Sequence, residues 1–206
     1  MLQPDDSQYN NVQQDGGMVP GKEVLLFGGS KGIGEVLKAA LAADYEVTDI
    51  SRSSGYDLLD VPDLPVRTTD FFIYCAGVGY FNEKGRAPDN ISEMIRLNLE
   101  TPIQLTYRIE ARHYIYIGSN SSYYGFPDSE VYCAVKHGIL GFARALRKRG
   151  KKVSVVSPGT VDTDFWANSG RTRPDLYLRP QDVAAAVIGC MQNQGDIEEI
   201  LITPYR

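Results

Sequence analysis

The chain has 206 residues, which suits one domain with a sizeable core. Its formal net charge is −5 and its pI about 5.1, values that disfavour a surface for nucleic acid or for an anionic membrane. No apolar run approaches the length that spans a bilayer, and the N-terminus shows no secretory signal. Cys75, Cys133 and Cys190 have neither metal-ligand spacing nor the pattern of a disulfide framework. We therefore expect a cytoplasmic protein with reduced thiols and no bound metal.

The chain begins with a polar segment and continues as one ordered domain. Residues 1–20 are rich in Gln, Asp, Asn and Gly without any period, and we expect a disordered or loosely attached tail there. The domain, 21–206, opens with a short apolar run at 24–27, a glycine-rich turn, apolar residues at helical spacing and a second strand at 46–50. A strand, a tight turn, a helix and a strand in this order form a βαβ unit.

Strand and helix patterns alternate along the rest of the domain. Further strands are predicted at 71–75, 114–118, 153–157 and 199–202. Further helices are predicted at 90–107, 130–149 and 180–193. This alternation predicts an α/β fold, a single-domain, Rossmann-like, doubly wound parallel sheet with helices on both faces.

The sequence GGSKGIG places Gly28, Gly32 and Gly34 at the first strand-to-helix turn. One glycine permits a sharp turn, another lets a pyrophosphate approach the backbone, and a third lets helix and strand pack closely. The N-terminus of the following helix offers N–H groups and the positive end of its dipole to phosphates. The turn predicts a nucleotide-binding site, and the alternative is a plain connector turn.

A second motif lies in the stretch YCAVKHGILGFARAL, where Tyr132 and Lys136 stand four residues apart. On a helix such a pair shares one face. Alone, the pair is either one catalytic device or an aromatic residue beside a solvated lysine. Ser119, in IYIGSNSS, lies thirteen residues before the tyrosine, at the end of a predicted strand.

These motifs resemble those of the short-chain dehydrogenases/reductases, whose glycine pattern is Gly-x-x-x-Gly-x-Gly and whose active-site pattern is Tyr-x-x-x-Lys. The resemblance covers about 22–204 and extends to Asn98 in RLNLETP. Carbonyl reduction needs a hydride donor and an acid for the developing alkoxide, and Tyr132 is the expected acid/base. We expect Lys136 to lower the pKa of Tyr132 and Ser119 to orient the substrate oxygen. The resemblance implies that Lys136 also holds the nicotinamide ribose and that Asn98 holds a water of a proton relay. The alternative for Asn98 is a polar residue that satisfies helix backbone.

The expected cofactor is NADP(H) rather than NAD(H). Arg52, at the end of the second strand, and Lys31, in the glycine turn, stand where the family reads a 2′-phosphate, while Asp49 is a counter-signal inside the strand. The resemblance implies cofactor contacts from Gly28, Ser30, Lys31, Gly32, Ile33, Gly34, Ser51, Arg52, Asp57, Leu58, Ala76, Gly77, Tyr132, Lys136, Pro158, Gly159, Val161 and Thr163.

The chain departs from the family pattern in several places. Phe27 replaces a common threonine, and YCAG at 74–77 replaces Asn-Asn-Ala-Gly. No long helix fits between Asp60 and Asp70, and the lid that follows Thr163 is short. The chain is therefore expected to be a pared-down member.

The expected function is NADPH-dependent reduction of a small carbonyl compound (a ketone, aldehyde or quinone-like compound) to an alcohol. A non-catalytic NADP-binding sensor or scaffold is the alternative, and an epimerase or dehydratase on the same fold is a lesser one. The two histidines, His113 and His137, are expected to be structural. The resemblance predicts a homodimer or homotetramer through the helices at 90–107 and 130–149. An aromatic pocket is expected from Tyr80, Phe81, Tyr123, Tyr124, Phe126 and Trp166.

Overall fold

A computed structural model describes residues 22–81, 90–169 and 171–205, so the predicted tail lies outside the described residues. The strands are β1 Lys22–Phe27, β2 Tyr45–Ile50, β3 Thr68–Tyr74, β4 Glu110–Ile117, β5 Val153–Pro158 and β6 Glu199–Ile202. They form one parallel sheet in the order β2-β1-β3-β4-β5-β6. The predicted parallel sheet is confirmed, and all of its predicted strands are present.

The helices are α1 Gly32–Leu41, α2 Ile91–Ile95, α3 Thr101–Arg108, α4 Glu130–Lys148, α5 Phe165–Asn168 and α6 Pro180–Gln192. The helix expected at 90–107 is present, but a π-helical turn, Arg96–Glu100, interrupts its α-helical pattern between α2 and α3. Asn98 lies in this turn, and its side-chain Nδ2 donates to the carbonyl oxygen of Met94 at 2.9 Å. A side chain that bonds to the backbone of the preceding turn competes with regular helix geometry, which accounts for the interruption.

Helices cover both faces of the sheet. Along β1 the side chains alternate between two buried clusters: Leu26 faces α1 and α6, whereas Leu25 faces α3 and α4. Because both faces are covered, β1 is apolar without alternation, as is typical of a central parallel strand. None of the helices in the described ranges is both long and apolar enough to cross a membrane.

The connection from β2 to β3 contains no α-helix, as the sequence predicts. It forms one short turn, Arg52–Ser54, and then inserts Leu58 and Leu64 into the core beside α3. Thr101 fixes this segment by donating its hydroxyl to the carbonyl oxygen of Leu58 at 2.8 Å. β3 therefore pairs directly with β1, and the strand order reverses between these two strands. In open parallel sheets, ligands bind in the crevice at the carboxyl ends of such strands.

Tyr74, which replaces a family asparagine, connects the sheet to the helical layer. Its hydroxyl donates to the carbonyl oxygen of Leu97 at 2.7 Å, and its ring stacks on Phe27 with centroids 5.9 Å apart. His113 is buried in the sheet, where Nε2 lies 2.8 Å from the hydroxyl of Ser154. The exposed His137 has Nδ1 2.9 Å from the carbonyl oxygen of Cys133, so both histidines have local structural partners.

Candidate active site

A cavity of about 620 Å³ opens at the carboxyl ends of the central strands. The glycine turn after β1, the segment after β4, the first turns of α4 and the segment after β5 all contribute to its lining. The cavity therefore lies at the reversal of strand order, where a doubly wound sheet places its ligands.

Three of the four glycines of the turn, Gly28, Gly32 and Gly34, are required for different reasons. Gly28 has φ +92°, and a Cβ atom there would lie 2.6 Å from the nitrogen of Ala76, which no side chain tolerates. Gly32 has φ +57°, in the left-handed region. A Cβ atom on Gly34 would lie 2.0 Å from the carbonyl oxygen of Gly28, so this glycine lets α1 pack against the turn.

The N-terminus of α1 faces the cavity without a side-chain cap. Lys31 is its N-cap residue, has extended backbone and makes no capping hydrogen bond. Gly32, Ile33 and Gly34, the first residues of the helix, line the cavity. Their N–H groups have no partner within the helix, so they suit a phosphate or another anion.

Ser119, Tyr132 and Lys136 converge on the same cavity. Ser119 follows β4, and its hydroxyl accepts from the backbone nitrogen of Ser121 at 3.1 Å and donates to Oδ1 of Asn120 at 3.2 Å. Its side chain also acts on the phenol of Tyr132, whose pKa it lowers in part. Tyr132 and Lys136 lie one turn apart near the start of α4, where the ammonium is 5.5 Å from the centroid of the phenol ring. The predicted set of three therefore forms one cluster.

Lys136 is a buried cation. Its side chain is only 5% exposed, and Nζ donates to the carbonyl oxygen of Ile117 at 3.1 Å. Burial lowers the pKa of Lys136 from its ordinary 10.5 to about 8, because it disfavours the charged ammonium.

The pKa of Tyr132 differs from the sequence-based expectation. We expected Lys136 to lower it, yet burial raises the pKa of this phenol well above its ordinary range, and the hydrogen bond with Ser119 offsets part of that rise. The physical reason is that desolvation of the phenolate outweighs the nearby groups, and that Nζ of Lys136 is bonded to Ile117. With these residues alone, Tyr132 is a protonated acid at neutral pH.

Asn98 lies behind this cluster. Its Nδ2 donates to the carbonyl oxygens of Val78 and Met94, which agrees with the alternative structural role. Its Oδ1 is buried and has no hydrogen-bond partner among the described residues. A Cβ atom built on Gly77 would lie 2.7 Å from this oxygen and 3.7 Å from Nζ of Lys136, so both atoms approach one point. Asn98 thus has a spare buried acceptor next to Lys136.

Lys31 and Arg52 border the cavity at the end formed by the glycine turn. Asp49, the counter-signal for this cofactor choice, is engaged elsewhere. Its carboxylate accepts from the nitrogen of Gly29 and from Nζ of Lys38, each at 3.0 Å, and from the hydroxyl of Ser51 at 3.1 Å. Asp49 therefore ties β2 to the glycine turn and to α1.

The structure separates the predicted site residues into two groups. The cavity lining includes Lys31, Gly32, Ile33, Gly34, Arg52, Gly77, Ser119, Tyr132, Lys136, Pro158, Gly159, Val161 and Thr163. The described lining does not include Gly28, Ser30, Ser51, Asp57, Leu58, Ala76 or Asn98. Leu58 is buried in the core, and the carboxylate of Asp57 accepts from the nitrogen of Leu59, because the shortened β2–β3 connection turns inward here.

The expected aromatic pocket is present with changes in its members. Tyr80, Phe81, Phe126 and Trp166 line the cavity. Tyr123 and Tyr124 do not: the hydroxyl of Tyr123 donates to Glu199 at 2.9 Å, and Tyr124 is exposed.

Sequence reasoning missed other lining residues, among them Cys75, Phe165 and Arg171. The ring of Phe165 lies 5.7 Å from that of Tyr132, and the ring of Phe81 lies 5.6 Å from it in an edge-on contact. Phe165 stands next to Trp166, which the sequence did indicate. Arg171 lies in an irregular segment, where no sequence period marks the direction of a side chain.

Comparison with known proteins agrees with this geometry. A family model described as short chain dehydrogenase matches residues 63–174. The chain is 27% identical over 203 residues to sepiapterin reductase of Chlorobaculum tepidum, with 82% of each chain covered. It is 26% identical over 216 residues to the cyclic-di-GMP-binding biofilm dispersal mediator protein of Escherichia coli, with 83% of this chain and 90% of that relative covered.

A solved structure of a small-chain dehydrogenase in complex with NADPH has the same fold, with a TM-score of 0.76 at 18% identity. The match covers 89% of this chain and 96% of that one. The family match spans more than half of the sequence and contains Ser119, Tyr132 and Lys136, which the structure brings together at one cavity. The chain belongs to the short-chain dehydrogenase family of oxidoreductases.

Proposed function

We propose that this protein is an NADPH-dependent reductase that converts a ketone, an aldehyde or a quinone-like carbonyl compound to an alcohol. The observation that carries the proposal is the convergence of Ser119, Tyr132 and Lys136 on the cavity that the glycine turn also lines. A site that only binds nucleotide has no need for a tyrosine acid, a serine hydroxyl and a buried lysine in one cavity.

NADP(H) fits the residues at the other end of this cavity, and when bound it supplies the hydride. The uncapped amides of α1 would hold its pyrophosphate, and Lys31 and Arg52 would hold its 2′-phosphate. The neighbouring fold that was solved with NADPH supports this choice. Because Lys38, Gly29 and Ser51 engage Asp49, that carboxylate is not free to bind the ribose hydroxyls that NAD(H) presents.

Ser119 would bind the substrate carbonyl oxygen and hold it beside the phenol of Tyr132. The carbonyl carbon accepts the hydride while its oxygen takes the proton of Tyr132, so the product is an alcohol. Lys136 stabilises the phenolate that remains. The spare Oδ1 of Asn98, close to Nζ of Lys136, suits a water that returns a proton to the tyrosine.

The test is NADPH oxidation measured against a panel of aldehydes, ketones and quinones, with NADH in parallel. We expect turnover with at least one class and a preference for NADPH. Binding of NADPH without turnover of any panel member would favour the second candidate, a sensor or scaffold protein. The relative named as a cyclic-di-GMP-binding mediator supports that candidate, because its name describes binding.

We further propose a homodimer or homotetramer, built through the face of α3 and α4. The apolar residues Val135, Ile139 and Leu140 of α4 are buried in the core of the single chain, so they do not supply this face. The support comes instead from Tyr107, which is 65% exposed on α3 and lies 6.0 Å from the ring of Phe142 on α4. The free cysteines, 75, 133 and 190, agree with a reducing compartment such as the cytoplasm.

A further inference from the structure

Arg171 places a cation in the cavity close to the catalytic tyrosine. It lies after α5 and lines the cavity. Its guanidinium carbon is 5.0 Å from the centroid of the Phe81 ring, and the same ring lies edge-on to Tyr132 with centroids 5.6 Å apart. The guanidinium and the phenol both lie against the Phe81 ring. We therefore expect one small molecule in the cavity to contact both groups.

Part of the guanidinium has no hydrogen-bond partner among the described residues. Its Nη2 donates to Oδ2 of Asp128 at 3.2 Å and to the carbonyl oxygen of Pro127 at 3.1 Å. Nε and Nη1 donate to no residue in the described part of the chain. The side chain is 34% exposed, so these donors are available to a ligand. An N–H of the charged guanidinium forms a strong hydrogen bond with a carboxylate oxygen.

One basic residue of the described lining has no role in the proposed cofactor binding or proton transfer. The basic lining residues are Lys31, Arg52, Lys136 and Arg171, whereas Asp164 is the acidic residue of the described lining. The first three have places in the proposed binding of NADP(H) and in proton transfer. Arg171 has neither role, and Phe81 and Trp166 beside it offer aromatic surface in the same part of the cavity.

We propose that the substrate is a small, mostly aromatic carbonyl compound that carries a carboxylate, and that Arg171 is the residue that selects for this carboxylate. This inference rests on the proposed function. The aromatic body of the substrate packs against Phe81 and Trp166, its carboxylate accepts a hydrogen bond from Nη1 of Arg171, and its carbonyl oxygen lies at Ser119 and Tyr132. The specificity follows because an uncharged analogue leaves the guanidinium without a partner.

The kinetic test compares para-carboxybenzaldehyde with its methyl ester. In the wild type we expect a higher kcat/KM for the acid. Arg171→Gln should lower kcat/KM for the acid by about tenfold to a hundredfold, the range of a charge-assisted hydrogen bond, and leave that for the ester within about twofold. Arg173→Gln is the matched control, because Arg173 lies over Tyr177 and pairs with Asp162. Equal constants in wild type and Arg171→Gln would overturn the inference.

Asp128→Asn distinguishes two roles of Arg171: binding of the substrate, and a purely structural ion pair with Asp128, here called a latch. Asp128 has φ 56°, which asparagine also adopts, so the backbone is preserved. If Arg171 binds the substrate, the loss of this competing carboxylate should maintain or increase the preference for the acid. If the pair is only a latch, Asp128→Asn and Arg171→Gln should impair the acid and the ester alike, which would overturn the inference.

A binding measurement tests the inference without turnover. Trp166 is the only tryptophan of the chain and lines the cavity, so its fluorescence reports ligands there. Benzoate should bind the wild type and Arg173→Gln at least tenfold more tightly than it binds Arg171→Gln, whereas benzamide should not distinguish the three. Arg171-dependent binding of benzoate without reduction of any carbonyl compound would remove the proposed function and keep the anion site. Reduction of both the acid and the ester, with no effect of Arg171→Gln, would remove the anion site and keep the proposed function.

Discussion

The ammonium of Lys136 lies 5.5 Å from the centroid of the Tyr132 ring and donates its hydrogen bond to the carbonyl oxygen of Ile117. The ammonium is therefore bonded to the sheet backbone and not to the phenol, so its charge can reach the phenol only through space. The protonation of Tyr132 and of Lys136 can each be tested, by substitution and by the pH dependence of the rate.

Tyr132→Phe should abolish most of the turnover and retain NADPH binding. The phenyl ring keeps the contacts with Phe81 and Phe165, and only the acidic hydroxyl is removed. We expect kcat to fall by roughly 10²–10⁴, the usual contribution of a positioned acid. The measurements are kcat and the dissociation constant of NADPH, with Tyr124→Phe, at an exposed position outside the lining, as the control. Full activity in Tyr132→Phe would end the catalytic interpretation.

The rate of reduction should fall as the pH rises through about 8. Lys136 has its pKa lowered to about 8 by burial, so it loses its proton, and with it the charge that stabilises the phenolate, above that pH. The measurement is kcat/KM against pH. Lys136→Arg keeps the charge at high pH, so its residual rate should be flat between about pH 7 and pH 9. An alkaline limb that persists in this variant would assign the titration to another group.

Burial of Lys136 should also reduce stability at neutral pH. Since its pKa is lowered to about 8 from 10.5, the cost is fully present below pH 8 and is relieved as the pH rises towards 10.5. We expect Lys136→Met to be inactive and to raise the free energy of unfolding by about 1–3 kcal/mol at neutral pH. Urea unfolding at neutral and alkaline pH measures this, and the gain should shrink at high pH. A variant less stable than wild type would show that the bond to Ile117 outweighs the cost of burial.

Arg52→Asp should exchange the cofactor preference. The substitution replaces a cation at the border of the cavity with a carboxylate, which repels a 2′-phosphate and accepts ribose hydroxyls. We expect NADPH affinity to fall by about tenfold or more and NADH affinity to improve. Titration of both cofactors is the measurement. Lys22→Asp is the control, because it makes the same charge change at the first residue of β1, at the end of this strand away from the cavity. Equal wild-type affinities for the two cofactors would contradict the assignment.

Acid should destabilise the protein partly through His113. Burial, and then the nearby Lys152, lower the pKa of His113 from 6.5 to about 4, so the native imidazole stays neutral while the unfolded chain binds a proton. The stability present above pH 6.5 is therefore lost as the pH falls towards 4. His113→Gln, which can still bond to Ser154, should be less stable at neutral pH and have a flatter slope. Denaturation midpoints across this range test it, and parallel slopes would refute the assignment.

Tyr107→Glu should weaken self-association. The substitution puts a charge on the most exposed large aromatic residue of the helical layer without disturbing the core. Light scattering at micromolar concentration should give a dimer or a tetramer for the wild type and a smaller species for the variant. A wild-type monomer would rule out the proposed assembly.

The sequence predicts the fold well because the signals are local. The apolar run of β1 has to be buried on both faces, and the glycines follow it directly. The helical spacing of Tyr132 and Lys136 brings their side chains to one side, and Ser119 follows a recognisable strand. These relationships depend on a few neighbouring residues, so they can be recognised in the sequence alone.

The remainder of the site depends on distant contacts. Arg171 reaches the cavity because Asp128, more than forty residues earlier, and Phe81 hold its side chain. Asp49 is withdrawn from the cofactor site by a lysine on α1. None of these contacts leaves a period or a motif in the sequence.

The order of the strands also bears on how the sheet assembles. From β4 onward each strand pairs with the strand that precedes it in the chain. A chain made from its N-terminus can therefore add β4, β5 and β6 one at a time at a single growing edge. The one pairing that must enclose another strand is that of β1 with β3, and the connection without an α-helix between β2 and β3 shortens the loop that this pairing closes. Closing a shorter loop costs less chain entropy. The short connection between β2 and β3 therefore favours faster nucleation of the sheet.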